Sequence, residues 1–171
     1  MATSALSPVH IVVMGVSGAG KSTIGEMLSE RLGVPFRDGD DLHPESNIAK
    51  MAQGIALTDE DRWPWLGLVG SWLRDNPAGG VIGCSSLKRS YRDRIREAAP
   101  DAIFIHVHGD EELLYSRMST RDRHFMPTSL LDSQLATLEP LADDEAGTVI
   151  DIDDTRENIV ANAYNWLANE R

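Results

Sequence analysis

The sequence predicts an α/β domain, a parallel sheet wrapped on both faces by helices. Two observations carry this. Short apolar, β-branched runs alternate along the chain with stretches whose apolar residues recur at helical spacing. The first run, Val9 to Met14, leads directly into the glycine-rich stretch Gly15-Val16-Ser17-Gly18-Ala19-Gly20-Lys21-Ser22, and a helical pattern follows at once. A strand covered on both faces should be apolar almost throughout, as this run is. With 171 residues and 42% hydrophobic content, the chain suits one domain with a real core and is short for two.

Each element has its own warrant. Residues 1–8 read as a weakly held tail. After the glycine loop, Ile24, Met27, Leu28 and Leu32 share a helix face, closed by Gly33 and Pro35. Val34 to Arg37 reads as a second strand ending at Asp38-Gly39-Asp40. His43-Pro44 opens a helix that Gly54 stops. Thr58 with Asp61 is an N-cap signature, but Pro64 suits a helix start, so Asp59–Arg62 is expected as a separate turn with the main helix beginning near Trp63. Trp65, Leu66, Val69, Trp72 and Leu73 form one apolar stripe, read as core or interface rather than a base-stacking platform. Asn76 to Gly80 breaks the chain before a third strand, Val81 to Cys84. A charged helix from Lys88 to Ala98 stops at Pro100. A fourth strand covers Ala102 to Val107, and Glu111 to Arg117 is helical. Residues 120–127 are polar and basic and read as a surface excursion. Leu130 to Leu138 is helical and Thr148 to Asp151 is a fifth strand. Asp154 with Glu157 resembles a capping box for the last helix, whose inner face carries Ile159, Ala163, Trp166 and Leu167.

Charge narrows the classes of partner. A formal net charge of -11 argues against a general nucleic-acid or anionic-membrane binder. Yet eight of the sixteen Lys and Arg residues lie between Lys88 and Arg123, which points to a local anionic ligand. No apolar run approaches the length of a membrane span, and residues 1–8 have no secretory character. The single Cys84 rules out an internal disulfide and reads as a buried structural thiol. A cytoplasmic protein is expected.

The chemistry gathers where predicted strands end, as ligand sites in such sheets do. Glycines let a backbone approach a phosphate and turn its N–H groups inward, and the following helix start adds positive partial charge. Lys21 can reach outer phosphates, and the Ser22 hydroxyl can ligate a bridging Mg²⁺. Asp38 and Asp40, separated by one glycine, can face a metal nucleotide: one holding a metal-bound water, the other taking a proton from an attacking hydroxyl. Lys88 and Arg92 stand four apart on one helix face after Ser85-Ser86, a cationic site for an acceptor's carboxylate or phosphate. Arg117 and Arg121 are also four apart, with Arg123 and His124 behind them, and could clamp a nucleotide. No zinc spacing and no nucleophile elbow occurs.

Together these residues resemble the gluconate kinases, small phosphate-loop enzymes related to shikimate and nucleoside-monophosphate kinases. The resemblance spans about His10 to Leu167. It rests on Met14 to Thr23, on Asp38-Gly39-Asp40-Asp41-Leu42-His43-Pro44, on Asn47 to Met51, on Leu57 to Arg62 with Pro64-Trp65-Leu66, on Cys84-Ser85-Ser86-Leu87-Lys88 with Tyr91-Arg92-Asp93, and on His124-Phe125-Met126. It implies a three-layer α/β/α fold with a five-stranded parallel sheet and a mobile lid at about 120–127. It also implies ATP-dependent phosphorylation of D-gluconate at its 6-hydroxyl, Mg²⁺ as cofactor, and a homodimer. By resemblance, Gly15 to Thr23 contact ATP, Asp40 faces the acceptor hydroxyl, and Asp38 lies near the metal with Ser22. Arg117 is then the arginine on the base and Arg121 the lid arginine on the phosphates. Lys88 and Arg92 hold the sugar acid, with His43, Asn47, Lys50 and His124 as further contacts. One departure is Asp122-Arg123, where the family commonly carries a lysine-glycine pair. Another small-molecule kinase such as a shikimate kinase is the nearest rival. A GTP switch lacks its N-K-x-D motif here.

Overall fold

The computed structural model describes residues 9–119 and 128–169. The expected tail at 1–8 and the lid at 120–127, with Arg121, Arg123 and His124, lie outside the described residues. Five strands form one sheet: β1 (His10–Met14), β2 (Phe36–Asp38), β3 (Gly80–Gly83), β4 (Ile103–His108) and β5 (Gly147–Asp151). Their order is β2-β3-β1-β4-β5, every pair is parallel, and Val12 lies opposite Ile82 on one side and Phe104 on the other. In the central strand, Ile11, Val12, Val13 and Met14 are wholly buried, each worth roughly 1.5–3 kcal/mol of apolar burial.

Alternation along the strands divides the interior into two cores. Ile11, Val13, Ile105 and Val107 pack with Ile24 and Leu28 of α1 (Lys21–Leu32), Leu114 of α5 (Glu111–Ser119), Leu131 of α6 (Thr128–Thr137) and Ile159 and Ala163 of α7 (Arg156–Asn169). Val12, Met14, Ile82 and Phe104 face Leu66 and Val69 of α3 (Asp59–Arg74) and Tyr91 and Ile95 of α4 (Arg89–Ala98). A short α2 (Glu45–Ala52) sits outside both, reached from β2 through the 3₁₀ turn Gly39–Leu42.

Two expected helix starts shift. Helix α3 runs unbroken through Pro64 from Asp59, with no separate turn. Thr58 and Asp61 form a reciprocal capping box, and the proline six residues past the cap removes only one hydrogen bond near the start of the helix. In α7 the cap lies one residue later than expected: the Thr155 hydroxyl accepts from the Asn158 N–H at 3.1 Å, while Asp154 accepts from the Thr155 N–H and the Asn158 side chain. The tryptophan stripe is core on the α3 side, and Trp65 is 4% exposed.

Candidate active site

Sequence places a phosphate-shaped cradle at the carboxyl end of the central strand. Gly18 and Gly20 take positive φ values of 86° and 89°, conformations a side chain would strain, and Gly20 stands as the N-cap of α1 with no side chain of its own to cap the helix. A helix start of this kind suits an anion. The Lys21 ammonium donates to the Val16 carbonyl of the same loop at 3.2 Å. Thr23 lies in the first turn of α1, half-buried.

Across the cleft, β2 delivers the carboxylate pair. The Ser22 hydroxyl donates to Asp38 Oδ2 at 3.2 Å, and Asp38 Oδ1 accepts from the Asp40 N–H at 3.0 Å. Asp38 thus caps the 3₁₀ turn that carries Asp40. Gly39 is required between them, because a Cβ there would stand 2.4 Å from the Gly83 carbonyl oxygen of β3. From below, the Trp65 indole N–H donates to the Gly39 carbonyl at 2.8 Å, and its ring stacks on His43 at 4.0 Å. Read from the sequence as core or interface, Trp65 is core and also the support of this turn; no spacing rule could have shown that bond.

The electrostatics suit a base. The Asp40 side chain opens at the cleft mouth, yet the protein around it strips part of its hydration. That desolvation, and then the charge of Asp38, raise its pKa, while Lys21 and His43 pull the other way. Burial lowers the pKa of His43, and Arg62 lowers it further against the pull of Asp40. The Asn47 amide lies 3.1 Å from His43 Nδ1 and donates to the Asp61 carbonyl at 3.0 Å, so it orients the ring. Cys84, behind the turn, is buried and its thiol is pushed up to about 12.

The cationic site differs from the expected one. Arg92 does not reach the cleft: it is wholly buried, and its guanidinium pairs with Glu145 at 2.7 and 2.9 Å and donates to the Ser86 carbonyl at 3.0 Å. Its ligand role is therefore corrected to a structural one. Arg92 and Lys88 are four apart, but Lys88 is the cap residue ahead of α4 and is extended, so the helix-face argument fails there. Ser86 is the only non-glycine residue with positive φ among those described, at 38°, and Arg92 holds its carbonyl. Lys88 stays at the surface of the cleft, 3.9 Å from Asp59. Arg62, which spacing had not singled out, joins it: both cations lie over the Tyr91 ring, 5.4 Å and 5.5 Å from its centre for Arg62 and Lys88, and both reach the Asp59 carboxylate. The Tyr91 hydroxyl accepts from Arg62 at 3.0 Å and donates to Asp59 at 2.7 Å. Asn47 is 2% exposed and Lys50 is bound to Asp61 at 2.7 Å, so both brace α2 against α3. On the nucleotide side, Arg117 donates to the Ile152 carbonyl at 2.9 Å, with its other terminal nitrogen beside Gly20.

Known proteins can now be set beside this geometry. The shikimate kinase family model matches residues 17–168. A gluconokinase of Gluconobacter oxydans is 50% identical over 143 residues, 82% of this chain and 80% of that one. The thermosensitive gluconokinase of Escherichia coli is 46% identical over 153 residues, 86% of this chain and 81% of that one. The chain belongs to the gluconokinase family. A solved gluconokinase from Sinorhizobium meliloti superposes with a TM-score of 0.87 at 49% identity, covering 95% of this chain and 93% of that one. Membership of the gluconokinase family agrees with the resemblance drawn from the D-G-D-x-x-H-P and L-K-x-x-Y-R-D stretches.

Proposed function

We propose that the protein transfers the terminal phosphoryl group of ATP to the 6-hydroxyl of D-gluconate, giving 6-phospho-D-gluconate and ADP. The observation that carries this is the contact between Ser22 of the phosphate loop and Asp38, which sets the donor's cradle against the turn bearing Asp40. Residues 15–23 hold the phosphates, and Lys21 neutralises charge on the migrating group. Asp40, with its raised pKa, orients the acceptor hydroxyl and takes its proton. Lys88 and Arg62 receive the sugar-acid carboxylate, His43 meets a hydroxyl, and Arg117 serves the nucleotide.

A hydroxyl next to a carboxylate is the oxygen donor set that Mg²⁺ prefers, with phosphates and water completing the shell. Among the described residues no cluster of three or more His, Cys, Asp or Glu competes for a cation. Ser22 and Asp38 would hold Mg²⁺, which supplies charge neutralisation on the phosphates. A homodimer and a cytoplasmic location complete the reading. The homodimer follows the resemblance, and the location agrees with a lone, buried cysteine.

The test is ADP release from MgATP with D-gluconate or shikimate as acceptor, with the product identified by phosphorus NMR. Gluconate alone should stimulate turnover, and Asp40→Asn should lower kcat about 10²- to 10⁴-fold with ATP binding kept. Folded Asp40→Asn enzyme with near-normal kcat would remove Asp40 from the proton-transfer role.

A further inference from the structure

Helix α6 touches both halves of the cleft, and neither contact belongs to the site described so far. Near its C-terminal end the Gln134 side-chain oxygen accepts from the Ser17 N–H of the phosphate loop at 2.6 Å. Just past that same end, the Glu139 N–H donates to the Leu87 carbonyl at 2.7 Å, and the Glu139 carboxylate accepts from the Arg89 N–H at 2.8 Å. Leu87 and Arg89 flank Lys88. One side chain thus grips the nucleotide loop, and five residues later the same segment grips the loop that presents the acceptor's cation.

Between these grips Leu135 and Leu138 pack against the core, and the helix leading into them is firmly seated. Leu131 is wholly buried, and Tyr115 of α5 donates a hydrogen bond to Asp132. The Leu138 N–H donates to the Gln134 carbonyl at 2.9 Å, so helical bonding continues to the residue before Glu139. A helix fixes the distance between residues along its axis more closely than a loop can. Glu139 also supplies what α4 lacks: the N-cap residue Lys88 makes no side-chain cap, and a carboxylate at a helix start answers both an orphan N–H and the dipole.

We propose that Gln134 and Glu139 are a pair of positioning residues for phosphoryl transfer, with α6 as the strut that sets the spacing between phosphate loop and acceptor loop. The inference rests on reading those two loops as the ATP and gluconate sites. Transfer between two bound substrates depends steeply on their separation, and a misplacement of about 1 Å costs on the order of 100-fold in rate. The strut therefore acts on kcat rather than on the affinity of either substrate alone.

The experiment is steady-state kinetics on Gln134→Met, Gln134→Glu, Glu139→Ala, Glu139→Gln and the double variant Gln134→Met/Glu139→Ala, with folding checked by circular dichroism. Gln134→Met has no strong acceptor for the Ser17 N–H and should lower kcat about tenfold or more, with KM for ATP within about twofold. Gln134→Glu keeps the acceptor but sets a negative charge beside the phosphates, so it should raise KM for ATP and retain most of kcat. Glu139→Gln keeps a capping oxygen and should stay close to wild type, whereas Glu139→Ala should lower kcat. Because the two ends serve one strut, the double variant should fall no further than the worse single variant.

Loss of ATP affinity with kcat intact in Gln134→Met would make Gln134 a plain phosphate contact and overturn the proposal. So would multiplying losses in the double variant, or no change in any variant. Wild-type enzyme without gluconate-stimulated turnover would instead sink the reading of the sites.

Discussion

Replacing Glu145 by glutamine should do more damage than any other change of one atom type in this fold. Glu145 is 8% exposed and lies opposite Arg92, which is 0% exposed. Its carboxylate accepts from Arg92 at 2.7 and 2.9 Å, from Arg96 at 2.7 Å and from the Ala142 N–H at 3.0 Å. Burial raises the pKa of this carboxyl, but the bonds from Arg92, Ala142 and Arg96 outweigh it and hold the group at about 2. Glutamine keeps the volume and one acceptor, yet it turns an amide N–H₂ toward a guanidinium and strands a buried cation. Breaking a buried pair from one side costs about 3–5 kcal/mol. At roughly 2–4 °C per kcal/mol for a chain of this size, the melting temperature should fall by about 6–20 °C.

Urea unfolding followed by tryptophan fluorescence measures that loss directly. Since Arg92 holds the Ser86 carbonyl in its strained conformation, KM for gluconate should rise in the same variant while KM for ATP holds. The sign in pH follows too. A carboxyl depressed from 4.5 to about 2 contributes stability that is complete above pH 4.5 and is lost as pH falls toward 2, and the variant should lack that slope. A stability change below about 1 kcal/mol would refute the reasoning, for Arg92 would then have found another counter-charge.

Two further outcomes follow from the packing. His106 is 2% exposed with neither ring nitrogen hydrogen-bonded among the described residues, and burial, then His108, Arg92 and Lys21, lower its pKa to about 4. Its neutral form is favoured by the fold, so stability is complete above pH 6.5 and is lost as pH falls toward 4. His106→Phe should remove this loss and gain about 2 kcal/mol relative to wild type at pH 5, read from chemical denaturation at pH 5 and 7; equal slopes would refute it. Trp65→Phe keeps a ring for His43 but loses the bond to Gly39. Stability should drop by about 1 kcal/mol and kcat several-fold, with KM for ATP unchanged, and unchanged kcat would free the Asp40 turn from this support.

The parts of the site that were legible in the sequence are those fixed by local chemistry. A glycine loop between a strand and a helix needs no distant partner to be recognised. Asp38 closes β2, one residue further into the strand than expected, Asp40 follows it, and Lys88 follows β3. What escaped depends on contacts far along the chain. Arg92 reads as a surface cation until Glu145, 53 residues on, is placed against it. Arg62 reads as one more charge in a helix start until Tyr91 and Asp59 are seen to gather it with Lys88. Gln134 has no local signature at all, since its partner is a backbone N–H 117 residues away. Pro64 misled in the other direction: its local rule holds, but a capping box and buried neighbours on α3 outweigh it.

The two cores on opposite faces of the sheet bear on how such an enzyme changes over generations. The phosphate loop and α1 are anchored in the core that holds α7, through Val16, Ala19 and Ile24. The helices that frame the acceptor, α3 and α4, are anchored in the other, through Leu66, Tyr91 and Ile95. A sheet one residue thick separates the two inheritances. Substitutions on α3 and α4 therefore strain the acceptor side first, while Leu87, beside Lys88, packs in the core of the phosphate loop and is where a change of acceptor pocket reaches the ATP machinery.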